Sequence, residues 1–120
     1  MKVVRLANVT PAKGGAPLFT ADVTLQSPFA DIYAADLSIT YVHFPKGVRN
    51  KFHTHSNDQV LIVTKGKGIV ATKEKESQVS EGDIIWVPAG ETHWHGAGAD
   101  DDFTHISVTR SKTKLTQIEK

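Results

Sequence analysis

A chain of 120 residues and 13.1 kDa is the size of one domain and can bury a core without disulfide or metal staples. Its 14 Lys and Arg against 13 Asp and Glu exclude the electrostatic footprint of a protein that binds nucleic acid or an anionic membrane. The absence of cysteine removes disulfides, thiolate metal sites and cysteine nucleophiles together, and fits a reducing compartment.

Met1-Lys2-Val3-Val4-Arg5-Leu6 lacks the apolar run of a signal peptide, and no apolar stretch reaches the roughly 18 residues of a membrane span, so a cytoplasmic protein is expected. Lys2 to Val9 reads as a short strand ending at Thr10-Pro11, and Lys13 to Pro17 as a loop. Residues 1–20 form an arm that lies across the domain or a partner subunit. Ala21 to Gln26 alternates Val23 and Leu25 with Asp22 and Thr24, as a half-buried strand does. Phe29 to Ala35 reads as a loop. Asp36 to Phe44 is β-branched and aromatic, with Leu37, Ile39, Tyr41 and His43 on one parity, and Pro45-Lys46-Gly47 closes it.

In the stretch that follows, His53, His55 and Gln59 share a parity, so an extended strand turns two imidazoles and one amide oxygen to the same side. Two imidazoles at i, i+2 can share one divalent transition metal. The spacing alone fits two core-lining or exposed histidines equally well. Asn57 to Thr64 reads as a strand, Lys65-Gly66-Lys67-Gly68 as a hairpin connection, and Ile69 to Thr72 as the returning strand. Lys73 to Ser77 is a solvated tip. Ile84 to Val87 is an apolar strand between the turns Glu81-Gly82-Asp83 and Pro88-Ala89-Gly90. Phe103 to Thr109 alternates, with Phe103, His105 and Ser107 on one face. The polar tail 110–120 reads as frayed or weakly helical. Short strands separated by Gly and Pro turns, with no sustained 3.6-residue periodicity, predict one all-β sandwich or barrel with its core at about 36–109.

Gly47-x5-His53-x-His55-x3-Gln59-x6-Gly66, followed by Gly82-x5-Pro88-x-Gly90-x2-His93-x3-Ala97, resembles the paired motifs of the cupin superfamily. The resemblance implies a double-stranded β-helix, the jelly-roll barrel, around a divalent metal held by His53, His55, Gln59 and His93. Two positions depart from the common pattern: Gln59 stands where glutamate is usual, and Ala97 where asparagine often ends the second motif. Three imidazoles and an amide leave the charge of the ion uncompensated, which makes it a stronger Lewis acid and a weaker-held one. The alternative is that Gln59 lines the pocket while three histidines bind the ion.

Phe52-His53-Thr54-His55, Gln59 to Thr64, His93 to Ala97 and Thr104-His105-Ile106 are together similar to the small single-domain cupins that include manganese-dependent hydroxynitrile lyases. That resemblance implies manganese or iron, with nickel, cobalt or zinc as alternatives, and His105 as acid or base beside the metal. The other reading of His105 is a core histidine supporting a ligand. Alternation and the same resemblance place Thr40, Val42 and Phe44 along a substrate pocket and turn His43 away from it. Arg49 is a candidate for an anionic substrate or a surface residue, and His95 a supporting residue near the metal. Trp86 and Trp94 read as packing groups.

Three functions fit these residues: a metal-dependent lyase with His105 as base, an oxygen-dependent enzyme such as a dioxygenase, and a non-catalytic or sugar-isomerase-type binder. The expected partners are a small-molecule substrate and, through the N-terminal arm, a second copy in a homodimer.

Overall fold

The computed structural model describes residues 1–32 and 35–120. Among the described residues ten antiparallel strands follow one 3-10 turn at Leu6–Asn8: β1 (Ala12–Gly14), β2 (Val23–Gln26), β3 (Leu37–Phe44), β4 (His53–His55), β5 (Gln59–Thr72), β6 (Glu76–Ser80), β7 (Ile84–Val87), β8 (His93–Ala97), β9 (Phe103–Arg110) and β10 (Leu115–Gln117). They form one curled sheet in the order β1-β2-β3-β9-β5-β8-β4-β10, with β6 and β7 also paired to β5. The sheet folds over on itself along β5. The first half of β5 pairs with β7 and β9, and its second half with β6 and β8, so one strand belongs to both facing layers.

The corner in β5 corrects the sequence reading of a hairpin at Lys65 to Gly68. Pairing with β9 slips between Val63 and Lys65, and Gly66 takes φ +77°. A glycine in the left-handed region lets a strand bulge and bend without reversing it. A Cβ at Gly66 would lie 2.0 Å from the Asp102 carbonyl oxygen, so the corner is also a point of close backbone approach. Val23, Val42, Phe44, Val63 and Phe103 of one layer meet Val79 and Ala97 of the other in the buried core. Phe44 sits at its centre, with the rings of Phe19 and Phe103 both 5.9 Å away.

Both chain ends differ from expectation. Residues 5–9 turn locally instead of forming a strand: Asn8 and Val9 donate to Arg5 and Leu6 carbonyls, while the Gln26 amide donates to the carbonyls of Leu6 and Val9. With those backbone groups satisfied there is no ladder to join. The strand lies further on, at Ala12–Gly14 against β2, in part of the stretch read as loop. The tail is strand as well: Leu115, Thr116 and Gln117 pair with His55, Thr54 and His53. In the segment read as a loop at Phe29–Ala35, Ile32 donates back to Phe29, and Tyr33 and Ala34 lie outside the described residues. Among the described residues no helix is long and apolar enough to cross a membrane.

Gly66→Ala is expected to cost upwards of about 4 kcal/mol, because a side chain there must displace backbone. Gly82→Ala, at φ +93° with nothing within 4 Å of an added Cβ, should cost only the left-handed conformation, about 1–2 kcal/mol. Urea denaturation of both variants checks the difference; equal losses would show that the corner carries no steric constraint.

Candidate metal centre

β4 turns His53 and His55 into the barrel, two residues apart on one face, and the β8 register sets His93 directly opposite His53. The ring centroids are 4.4 Å apart for His53 and His93, 5.0 Å for His53 and His55 and 5.5 Å for His55 and His93. One nitrogen of each lies within 4.8 Å of the others, a span that a single ion can bridge. Gln59 reaches the same point from the other layer. It does not continue the strand of His53 and His55, as alternation had implied; β4 ends, the chain turns at Ser56 and Asn57, and Gln59 opens β5 opposite Val87. The amide thus faces the imidazoles across the interior.

Hydrogen bonds fix which atoms point inward. His53 donates Nδ1–H to the Lys51 carbonyl at 2.6 Å, and His93 donates Nδ1–H to the Glu91 carbonyl at 2.8 Å. In a neutral imidazole this leaves Nε2 as a bare lone pair directed into the cluster. Gln59 donates its amide nitrogen to Ser107 Oγ at 2.9 Å, which turns Oε1 to within 3.1 Å of His93 Nε2. Two acceptors then face each other. Among the described residues neither ring nitrogen of buried His55 has a partner. Unshared lone pairs converging in a buried space are what a divalent cation satisfies, so these residues fit the metal that the motif implies.

Desolvation keeps the donors unprotonated. Burial pushes His53 down to about 3 and His55 to about 4, and holds His93 below the ordinary histidine range, with neighbouring imidazoles adding repulsion at the first two. At neutral pH no proton has to leave before an ion binds.

Beside the cluster is a cavity of about 190 Å³. Thr40, Val42 and Phe44 line it along β3, where alternation placed them. His95 and His105 line it too, both buried, with His105 Nε2 2.8 Å from His95 Nδ1. His95 connects that pair to the cluster: its ring lies 5.6 Å from His53 and 5.5 Å from His93. Its backbone N–H donates to Asn50 Oδ1 at 2.8 Å. Burial pushes His105 down to about 4 and holds His95 well below the ordinary histidine range, and among the described residues His105 Nδ1 has no partner.

Arg49 is not part of this cavity. Its guanidinium bonds both carboxylate oxygens of Glu119 at 3.1 and 2.9 Å and lies 4.5 Å from the Trp94 ring centroid, so charge and π-face are both engaged. Trp94 is packed, as expected, whereas Trp86 is 64% exposed. Other cavity residues carried no signal of their own in the sequence: Phe19 from the N-terminal arm, Asn50 from a loop and Leu115 from the tail. Ser107 was within reach, since it shares the parity of His105.

The cupin domain family model matches residues 40–109, which hold the whole imidazole cluster and the His95–His105 pair. The chain belongs to the cupin family. Over 110 residues this cupin is 34% identical to the (R)-mandelonitrile lyase of Granulicella tundricola, covering 90% of this chain and 83% of that one. An acireductone dioxygenase of Cronobacter sakazakii is 33% identical over 70 residues, 52% of this chain and 39% of its own length. Among solved structures, a cupin-like protein from Thermotoga maritima superposes with a TM-score of 0.84 at 28% identity, over 90% of this chain and 84% of that one.

The depressed histidines set a pH dependence in the metal-free protein. The unfolded chain takes up protons near pH 6.5 that the folded state refuses until about pH 3–4, so stability holds above pH 6.5 and falls as the pH drops toward 4. Thermal melts of chelator-treated protein from pH 8 to 4 check this; a melting temperature flat between 6.5 and 4.5 would mean that the imidazoles are not desolvated.

Proposed function

We propose that this cupin is a metal-dependent lyase of the hydroxynitrile-lyase kind, which cleaves a small cyanohydrin into a carbonyl compound and hydrogen cyanide. The observation that carries the reading is the buried His95–His105 pair set beside the imidazole cluster in one small, largely apolar cavity. The similarity to a mandelonitrile lyase along 90% of the chain supports it.

In this reading His53, His55, Gln59 and His93 would hold one divalent cation, manganese or iron by the resemblance to the small metal-dependent cupins, although the donors themselves suit nickel, cobalt and zinc as well. Bound there, the ion supplies uncompensated positive charge that makes a substrate hydroxyl more acidic. His105 is the base. It donates Nε2–H to His95 Nδ1, which leaves its unpartnered Nδ1 to accept the hydroxyl proton. As the carbon–carbon bond to the nitrile breaks, the oxygen keeps the carbonyl and cyanide leaves with the bonding pair. The imidazolium of His105 then returns the proton, which leaves as hydrogen cyanide. Asn50, by holding the His95 backbone, positions the partner ring. Thr40, Val42 and Phe44 exclude water and set the size of the substrate.

The partial match to an acireductone dioxygenase favours a second reading, in which the same donor set serves oxygen chemistry. Oxygen uptake with enediol or catechol-like substrates would separate that activity from a lyase, which needs no oxygen.

Protein purified without chelators or nickel resin should carry close to one equivalent of manganese or iron. His53→Ala should lose it and Gln59→Ala should bind on the order of ten-fold or more weakly, measured by elemental analysis and metal titration. Wild-type protein that neither carries nor takes up a divalent metal would refute the site.

Metal-loaded protein should release cyanide from aromatic cyanohydrins, and His105→Ala should slow release by roughly 10²–10⁴-fold while keeping its metal. Release no faster than that of His53→Ala would sink the lyase reading.

A further inference from the structure

The two ends of the chain meet at the mouth of the cavity. Its lining runs from Phe44 and His105, 1% and 0% exposed, out to the partly buried Phe19 of the N-terminal arm and to Leu115 of β10, 43% exposed. Leu115 stands directly opposite His55 in the register of β10 with β4. Cross-strand partners of an antiparallel pair project to the same face with Cβ atoms about 5 Å apart, so Leu115 points inward beside the His55 ring. It is the apolar side chain between that buried imidazole and solvent at this end of the cavity.

The segment that carries Leu115 is clasped to one short stretch, residues 49–52. Ile118 and Glu119 donate backbone N–H to the Phe52 carbonyl at 2.8 and 3.1 Å, and the Phe52 N–H donates to Glu119 Oε1 at 2.9 Å. The Arg49 guanidinium grips both oxygens of the same carboxylate. The same stretch also holds the arm: Lys51 donates its backbone N–H to the Leu18 carbonyl at 2.8 Å, and Thr20 donates to the Arg49 carbonyl at 2.9 Å. The Gln117 amide then crosses to the Pro17 carbonyl at 3.2 Å. A bidentate pair fixes direction as well as distance, so the clasp sets how far Leu115 stands from the arm.

We propose that Leu115 limits the length of the molecule that the cavity admits, and that Arg49 and Glu119 are positioning residues that hold it there. This role rests on the cavity being the substrate site proposed above. An apolar cavity of roughly 150 Å³ takes a benzene ring. About 190 Å³ therefore takes one ring with a short substituent. Thr40, Val42 and Phe44 form a wall on β3, and Val42 and Phe44 are locked in the core. Leu115 lies at the solvent end, where a longer substituent has to pass. Shortening it opens the mouth without touching an imidazole or β3.

Benzyl alcohol and para-butylbenzyl alcohol share a head and differ in length. Isothermal calorimetry on the 120-residue chain compares them, and whatever their common hydroxyl meets in the site cancels in the ratio of the two affinities. Apolar area alone favours the butyl compound. The wild type should reverse that order and bind benzyl alcohol roughly ten-fold or more tightly, the discrimination a closed apolar pocket supplies. Leu115→Ala should bring the two to parity or beyond, chiefly by tightening the longer alcohol. Glu119→Ala should move the ratio the same way with Leu115 intact, and so should Arg49→Lys, which keeps the charge and loses the fork. A merely structural loss would weaken both alcohols alike.

A wild type that prefers the longer alcohol, or binds neither, overturns the proposal, as does a Leu115→Ala ratio equal to that of the wild type. Clasp variants that keep the wild-type ratio overturn the positioning role of Arg49 and Glu119. Should Glu119→Ala fail to fold, Leu115→Ala and Arg49→Lys still decide. A wrong lyase reading shows separately, as cyanide release that is absent while the shift in ratio persists.

Discussion

One strand serving both layers is the constraint on which the rest of the structure depends. β5 begins in the layer of β7 and β9 and ends in that of β6 and β8, so the positions of its ends fix how the layers face each other. The bend demands a residue with positive φ and no side chain, because the Asp102 carbonyl occupies the space a Cβ would take. Gly66 meets both demands. From that bend follow the closure of the core around Phe44 and the meeting of β4 and β8, in one layer, with the start of β5 and the middle of β9, in the other.

The site exploits that geometry. Side chains on one strand face reach a site from one side only, whereas here three imidazoles on one wall face an amide on the other. Burial has a double effect on these groups. It removes protons from the imidazoles, and it denies their lone pairs the water that would otherwise satisfy them. Both effects favour a cation. The same dry surroundings hold His95 and His105 against each other, so groups able to relay a proton sit beside groups able to hold an ion.

Much of this was legible in the sequence because the relevant signals are local. Histidines at i, i+2 on a short strand, turns marked by glycine or proline, and period-two alternation put His53 and His55 on one face of one strand and Thr40, Val42 and Phe44 on one face of another, and the structure lines a single cavity with both sets. The failures share a physical cause. Lys65 to Gly68 has the residues of a hairpin and of a bulge alike, and the choice between them is made by β9, nearly forty residues away. Gln59 reaches the imidazoles by another route than alternation implied, since a turn, not an extended strand, carries it across the interior. The tail looked polar and unstructured because its pairing partner is β4, and Arg49 looked available because its carboxylate, Glu119, comes from the same distant segment. Pairings over such separations leave no mark in a local window.

The position of β10 bears on how firmly the imidazole strand is held. β4, which carries two of the three imidazoles, has β8 on one side and β10 on the other. Its register with β8 is the single pair His53 and His93, whereas all three of its residues pair with β10. The imidazole strand therefore takes most of its backbone pairing from a segment far along the chain. A change at Leu115–Gln117 that touches none of the imidazoles would still turn their strand into a sheet edge.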